Sequence, residues 1–158
     1  MIIEKSPLEL KNFIILKSSM IFNQPKEKIS ISSFFDQYEI NIDYMIRPTT
    51  KSKFNIFIKI GVNNSDSPMA GYSIFTEGVG VFAFNEEGKL SEQECSHFLN
   101  FSAVGILINS IRMHFLNLTA FAPMGKYSLP AIDMNHLVRT KSELVQKAIK
   151  TKKKIIKT

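Results

Sequence analysis

Tryptophan is absent from the 158 residues and cysteine occurs once. A single thiol, Cys95, excludes an internal disulfide and a cysteine cluster for a metal, and it points to a reducing cytoplasm. The three histidines, His97, His114 and His136, lack a ligand spacing such as His-x-x-x-His, so no metal is expected. Glycine numbers only 7, and Gly78 and Gly80 lie in an extended run without the Lys-Ser/Thr of a phosphate-binding loop. No window reaches the roughly 18 uninterrupted apolar residues of a membrane span. The start, Met1-Ile-Ile-Glu-Lys-Ser-Pro, lacks the basic end and apolar run of a secretory signal, so a cytoplasmic protein without membrane insertion is expected. Acidic residues are scattered over turns with no obvious pair for acid–base work. Cys95, between Glu94 and Ser96, reads as filler rather than nucleophile. Together these absences predict a binding protein without cofactor, not an enzyme.

Charge of one sign is also missing from most of the chain. The net charge is +6, and Lys147, Lys150, Lys152, Lys153, Lys154 and Lys157 account for it; elsewhere acids and bases balance. The basicity is therefore a tail and not a face. That tail lacks the interleaved aromatics used on single-stranded nucleic acid, so nucleic acid is not the expected partner. Residues 151–158 are expected to fray.

Apolar residues are plentiful: 44% of the chain is hydrophobic, 13 residues are Phe, and 22% are charged. This suits one folded domain over 1–158. The chain is organised around residues 98–130. At about 100° per residue, Phe101, Val104, Leu107, Ile108, Ile111, Phe115 and Leu118 fall in one apolar arc that should lie on a core. The opposite side carries Ser102, Ile106, Asn109, Ser110, Met113, His114 and Asn117, and Arg112 is the lone charge between Phe101 and Ala120. A helix backing onto water normally carries Lys and Glu there. Ile106, Asn109, Ser110, Met113 and Asn117 are therefore expected to meet a second copy of the helix. The alternative is burial of both sides within one monomer.

Extended segments come first. Leu8–Asn23 favours a strand, with a bulge expected at Ser18-Ser19. Residues 24–37 form a connection holding Pro25, three serines and the adjacent Phe34 and Phe35. Glu39–Arg47 alternates Ile40, Ile42, Tyr44 and Ile46 with polar residues, and Phe54, Ile56, Ile58, Ile60 and Val62 repeat the period of two. A fourth strand spans Ala70–Phe84, with a bulge or sharp coil expected at Gly78-Val-Gly80. Short turns between successive strands predict a four-stranded antiparallel meander. Ser91-Glu-Gln-Glu94 is a capping box that opens a short helix before the central one. Ala122-Pro-Met-Gly-Lys126 breaks the helix, Asp133 can cap a further turn or two, and Thr140-Lys-Ser-Glu143 is a second capping box for an amphipathic C-terminal helix. Strands followed by helices define one α+β domain.

The order of these features resembles the SecB protein-export chaperone family. Gly105 to Arg112 is similar to the family's apolar run closing in Arg. Tyr127-Ser-Leu-Pro-Ala-Ile-Asp-Met resembles its Leu-Asn-Leu-Ala-Pro-Val-Asn-Phe segment, and Phe22-Asn-Gln-Pro25 its Phe-Glu-Ala-Pro. The likeness covers roughly residues 8–140. It implies an ATP-independent holdase, a homotetramer built as a dimer of dimers, which binds unfolded polypeptides in an apolar groove between sheet, crossover loop and last helix. On that reading the groove is assigned to Phe34, Phe35, Tyr38, Tyr44, Phe121, Tyr127, Leu129 and Leu137. Two departures stand out: Ser19 and Asn23 occupy the places of the family's acidic docking residues, and the tail is lysine-rich where the family's is acidic. Docking to the secretion ATPase is thus in doubt, and a SecB-like chaperone dedicated to other clients, such as an antitoxin, is open. The reading from another class is a small adaptor whose basic tail binds nucleic acid or an acidic partner.

Overall fold

The computed structural model describes residues 1–26, 34–85 and 90–155, with side chains as far as Ala148. Four antiparallel strands, β1 (Leu8–Asn23), β2 (Ile40–Pro48), β3 (Lys53–Val62) and β4 (Gly71–Phe84), precede the helices. Helix α1 (Glu92–His97) passes through a π-helical turn (Phe98–Ala103) into α2 (Val104–Leu118), and α3 spans Met134–Ile155. This is the expected α+β class.

The order within the sheet departs from an unbroken meander. It is β1-β4-β3-β2, so β2, β3 and β4 form a meander while β1 lies beyond β4, at the far edge from β2. Short turns force neighbours only where they are short. The connection from Asn23 to Ile40 is long enough to cross three strand spacings of roughly 4.8 Å each.

The period of two in β3 places Ile56, Ile58, Ile60 and Val62 on one buried face. Opposite them on β4 lie Gly80, Gly78, Thr76 and Ile74. Pairing of β3 with β4 runs without interruption through Gly78-Val-Gly80, so no bulge sits there. A Cβ on Gly80 would stand 2.5 Å from Leu107 Cδ2, and the glycine is what lets α2 press onto the strand. The irregularities fall in β1 instead, between Leu10 and Asn12 and between Ile15 and Lys17, not at Ser18-Ser19.

The expected arc of α2 is the buried one: Val104, Leu107, Ile108, Ile111 and Phe115 are all in the core. The continuous helix Glu92–Leu118 is 27 residues long and apolar enough to cross a bilayer by composition, but its arc lies on the sheet. Ser91 and Glu94 form the capping box: each backbone N–H is bonded by the other's side chain, at 2.8 and 3.3 Å. The Glu94 carboxylate accepts from both the Ser91 N–H and the Ser91 hydroxyl at 2.8 Å, and these two bonds hold it below its ordinary range.

Among the described residues one helix follows residue 133. The Asp133 carboxylate accepts the His136 N–H at 3.0 Å, and α3 then runs through 140–143 without a break. The expected second capping box is therefore helix interior, where Ser142 Oγ donates to the Val138 carbonyl. The serines at 30, 32 and 33, the turn at 86–88 and the side chains of the lysine-rich tail lie outside the described residues.

Candidate functional site

The segment from α2 to α3 is fixed by polar ties rather than by regular structure. Arg112 Nε donates to the Leu129 carbonyl at 2.7 Å, its second terminal nitrogen to the Pro130 carbonyl at 2.9 Å, and the other terminal nitrogen to Asn109 Oδ1. Thr119 Oγ1 donates to the Phe115 carbonyl (2.7 Å) and accepts the Tyr127 N–H (2.8 Å). These bonds sink the Tyr127 and Leu129 side chains into the core and deliver α3 alongside β2.

β2 is an edge strand, and α3 approaches its free side. Lys141 of α3 reaches Asp43 at 2.5 Å and lies over the Tyr44 ring, 5.8 Å from its centroid. The Tyr44 hydroxyl donates to Asn100 Oδ1 in the π-helical turn at 2.9 Å. On either side of this waist the groove opens. Toward the start of β2 a cleft of about 430 Å³ is lined by Ile40, Ile42, Ala131, Ile132, His136 and Leu137. Toward its end a cleft of about 870 Å³ is lined by Met45, Ile46, Arg47, Phe57, Lys141 and Val145, among others. Arg47 stacks over Phe57, 5.3 Å from the ring. The groove thus offers apolar walls, a few charged rims and the unpaired edge of a strand.

At the entry to β2 lies an aromatic cluster. Phe35, in a one-turn 3₁₀ helix (Phe35–Gln37), contacts Tyr38, Tyr72 and Tyr127, with centroids 5.5, 5.6 and 5.3 Å away. Phe34 meets Tyr38 edge-on at 5.8 Å. Burial raises the pKa of all four tyrosines, most of all Tyr127, so each stays neutral at ordinary pH.

The structure distributes the expected groove residues unevenly. Phe34, Phe35, Tyr38 and Tyr127 come together in the aromatic cluster; Tyr44 forms the waist, and Leu137 lines the first cleft. Tyr38, Tyr44, Tyr127 and Leu129 are buried in this conformation rather than open to a ligand: the polar ties above seat the last three, and the Tyr38 hydroxyl donates to the Ala70 carbonyl (3.0 Å) and accepts the Tyr72 N–H (2.9 Å). Phe121 stands fully exposed at the end of α2 and makes none of these ring contacts. Ile42, Met45, Phe57, Ile132, Val145 and the Lys141–Asp43 pair were not expected in the groove. The alternation of β2 marked Ile42 as facing one side, but only the strand order shows that this strand is an edge.

On the back of α2, Ile106, Asn109, Met113 and Asn117 are exposed, so this face is not buried within the monomer. Ser110 is half-buried and donates to the Ile106 carbonyl. His114 belongs to the sheet side, bonded to Ser18 Oγ of β1 at 2.8 Å.

No protein-family profile matches the sequence, and no curated protein matches it either. Solved structures do match. The Mycobacterium tuberculosis SecB-like chaperone Rv1957, in complex with a ChAD peptide from the HigA1 antitoxin, overlays with a TM-score of 0.54 at 16% identity, over 80% of this chain and 88% of that one. A Streptococcus agalactiae protein of unknown function overlays at 0.45 and 8% identity, over 78% of this chain and 97% of that one. The chain therefore has a SecB-like fold.

Proposed function

We propose that the protein is an ATP-independent holdase that binds stretches of unfolded polypeptide in the groove between β2 and α3. The observation that carries this reading is the groove itself: two clefts in line along an unpaired strand edge, a mostly apolar one of 430 Å³ and one of 870 Å³ with an apolar floor and a rim of Asp43, Arg47, Lys59, Glu77 and Lys141, joined at the Asp43–Lys141 waist. An extended chain fits such a site with alternate side chains in the clefts. Support comes from the SecB-like fold, whose solved neighbour holds a peptide from an antitoxin. Clients of this chain are then non-native segments, of an antitoxin or of a protein awaiting export, held in the cytoplasm. The exposed apolar groups on the back of α2, Ile106 and Met113, support assembly through that face. The proposed assembly is a homotetramer.

The test is suppression of aggregation of reduced insulin at equimolar ratio. Replacing Leu137 and Val145 by Ser removes one apolar wall from each cleft, and Val145 is already 47% exposed, so the fold should tolerate the change. Suppression should fall at least tenfold, since each lost anchor removes about 1–2 kcal/mol of burial. A wild-type protein that suppresses nothing ends this reading.

A further inference from the structure

The two clefts of the groove differ in charge. The smaller one has no Lys or Arg in its lining, and its one carboxylate, Asp133, accepts the His136 N–H. The larger one sets three cations and two carboxylates around an apolar floor that includes Met45, Phe57 and Val145. Both carboxylates are already matched: Asp43 meets Lys141 at 2.5 Å, and Glu77 meets Lys59 at 3.5 Å. Arg47 is the cation left over. Among the described residues it has no carboxylate partner, and its guanidinium lies over the Phe57 ring, 5.3 Å from the centroid. A ring beneath the guanidinium holds it in place and leaves its N–H edge free for a carboxylate.

The backbone beside Arg47 is open as well. At the two ends of β2 the Asn63 N–H donates to the Glu39 carbonyl and the Thr49 N–H to the Lys53 carbonyl, both at 2.8 Å. Pairing between these points is unbroken, so the odd-numbered residues face β3 and the N–H and C=O of Tyr44 and Ile46 face the free edge. Asp43 closes the Tyr44 amide at 2.9 Å, which leaves Ile46 as the open rung next to Arg47. Beyond Val145 the groove runs out along a basic stretch of sequence. Helix α3 continues to Ile155, and from Lys147 it carries Lys150, Lys152, Lys153 and Lys154 with no acid among them.

We propose that the larger cleft selects polypeptide segments that carry an acidic side chain among apolar ones, with Arg47 as the residue that reads the carboxylate. The proposal deepens the polypeptide-binding reading above and rests on it for the class of ligand. The apolar floor takes the flanking side chains, Ile46 offers a backbone rung, and Arg47 supplies paired N–H donors to the carboxylate. A basic client residue at the same place meets Arg47 and is rejected by like charge. The lysine run adds a positive field that draws acidic segments toward this end of the groove.

The experiment uses the full chain and fluorescein-labelled synthetic peptides of one apolar sequence with a central Glu, Gln or Lys, read by anisotropy. At low salt the Glu peptide should bind about fivefold tighter than the Gln peptide, with the Lys peptide weakest, and the differences should shrink as salt is raised. Arg47→Gln should abolish the preference for Glu over Gln, and Arg47→Glu should turn it over to the Lys peptide. Arg47 is exposed on an edge strand, so both variants should keep the native circular dichroism, and either decides the matter if the other does not fold. A preference that survives Arg47→Gln but is lost on deleting residues 149–158 belongs to the tail and overturns the assignment to Arg47. A further peptide that keeps Glu but has Ser for its apolar residues should bind about tenfold more weakly. Equal binding of that peptide would make the site a plain basic surface for an acidic partner or nucleic acid, and would sink the proposal. Insulin aggregation separates the two readings. Suppression by wild type with equal binding of the Glu, Gln and Lys peptides overturns the selection and leaves the holdase standing. A Glu preference without any suppression does the reverse.

Discussion

Asp43 and Lys141 are 98 positions apart in the chain, and their side chains meet at 2.5 Å across the groove. The same Asp43 oxygen accepts the Tyr44 N–H at 2.9 Å, so an amide of the edge strand is closed off by its own neighbour. Edge strands that do not pair are commonly blunted by charge in this way.

Breaking this pair should cost little stability and change the edge. Asp43 is 66% and Lys141 27% exposed, so Asp43→Ala should lower stability by about 0–1 kcal/mol. Hydrogen exchange at the Tyr44 amide should accelerate, and the pairing should weaken with salt. An unchanged exchange rate would show that the carboxylate does not guard the edge.

Gly80→Ala tests the seat of α2. The new methyl meets Leu107 Cδ2 at 2.5 Å and the Phe82 ring at 2.7 Å, and both side chains are fully buried. A loss of about 1–3 kcal/mol in urea unfolding is expected, and the same change should cost less when made in a Leu107→Ala background. Equal cost with and without the second change would refute direct contact as the cause.

Arg112→Met removes the ties to Leu129 and Pro130. Bonds from a charged donor to carbonyls contribute about 1.5–3 kcal/mol each way of counting, and the two carbonyls lose that partner together. Limited proteolysis should then cut in 119–133 well before the sheet is attacked. Cleavage elsewhere first would place the function of Arg112 somewhere else.

The tyrosines set an alkaline limit. All four have a pKa raised by burial in the folded state, so the folded protein holds these protons more tightly than the unfolded chain. Their contribution is complete below the ordinary tyrosine value near pH 10 and is lost as pH rises above it. Tyrosinate absorbance and loss of secondary structure should appear together. Tyr127→Phe discards a buried hydroxyl that has no partner, so it should leave stability unchanged or raise it, and move this limit upward.

Assembly has its own test. Met113 is 57% exposed on the back of α2, and Met113→Lys should split an oligomer that uses this face, because a charge would be buried without a partner. Light scattering that gives a monomer mass for the wild type at micromolar concentration would end the proposal of a tetramer.

The parts of this fold that were legible in the sequence are those governed by local periodicity. The alternation through Ile56, Ile58, Ile60 and Val62 and the arc from Val104 to Phe115 each bury one face, and a fixed geometric period writes that choice into the order of residues. The capping box at Ser91 is just as local. Strand order is not: nothing in Leu8–Asn23 or Ile40–Pro48 says that they lie at opposite edges. Phe34, Phe35, Tyr38 and Tyr127 of the aromatic cluster were among the expected groove residues, but Tyr72 and the burial of the tyrosines were not anticipated. Tyr127 sits in an extended segment with no period, and what sinks it is a bond to Thr119 and the Arg112 ties nearby. The groove residues Met45 and Val145 escaped notice because each is unremarkable until an edge strand and a helix are set side by side.

The strand order also dictates how the chain must come together in time. β1 is made first, yet its partner β4 lies some way downstream, with Leu8 opposite Phe84. β2, β3 and β4 can zip through short loops, whereas the first strand has to wait for the whole meander and then close a long loop, which is slow. Through that interval a nascent stretch bearing Phe13, Ile14, Ile15, Leu16, Ile21 and Phe22 is unpaired, and by its apolar content it is the kind of segment that associates with whatever apolar surface is near. During its own synthesis this protein presents, as its first strand, the sort of chain that the proposed groove would hold.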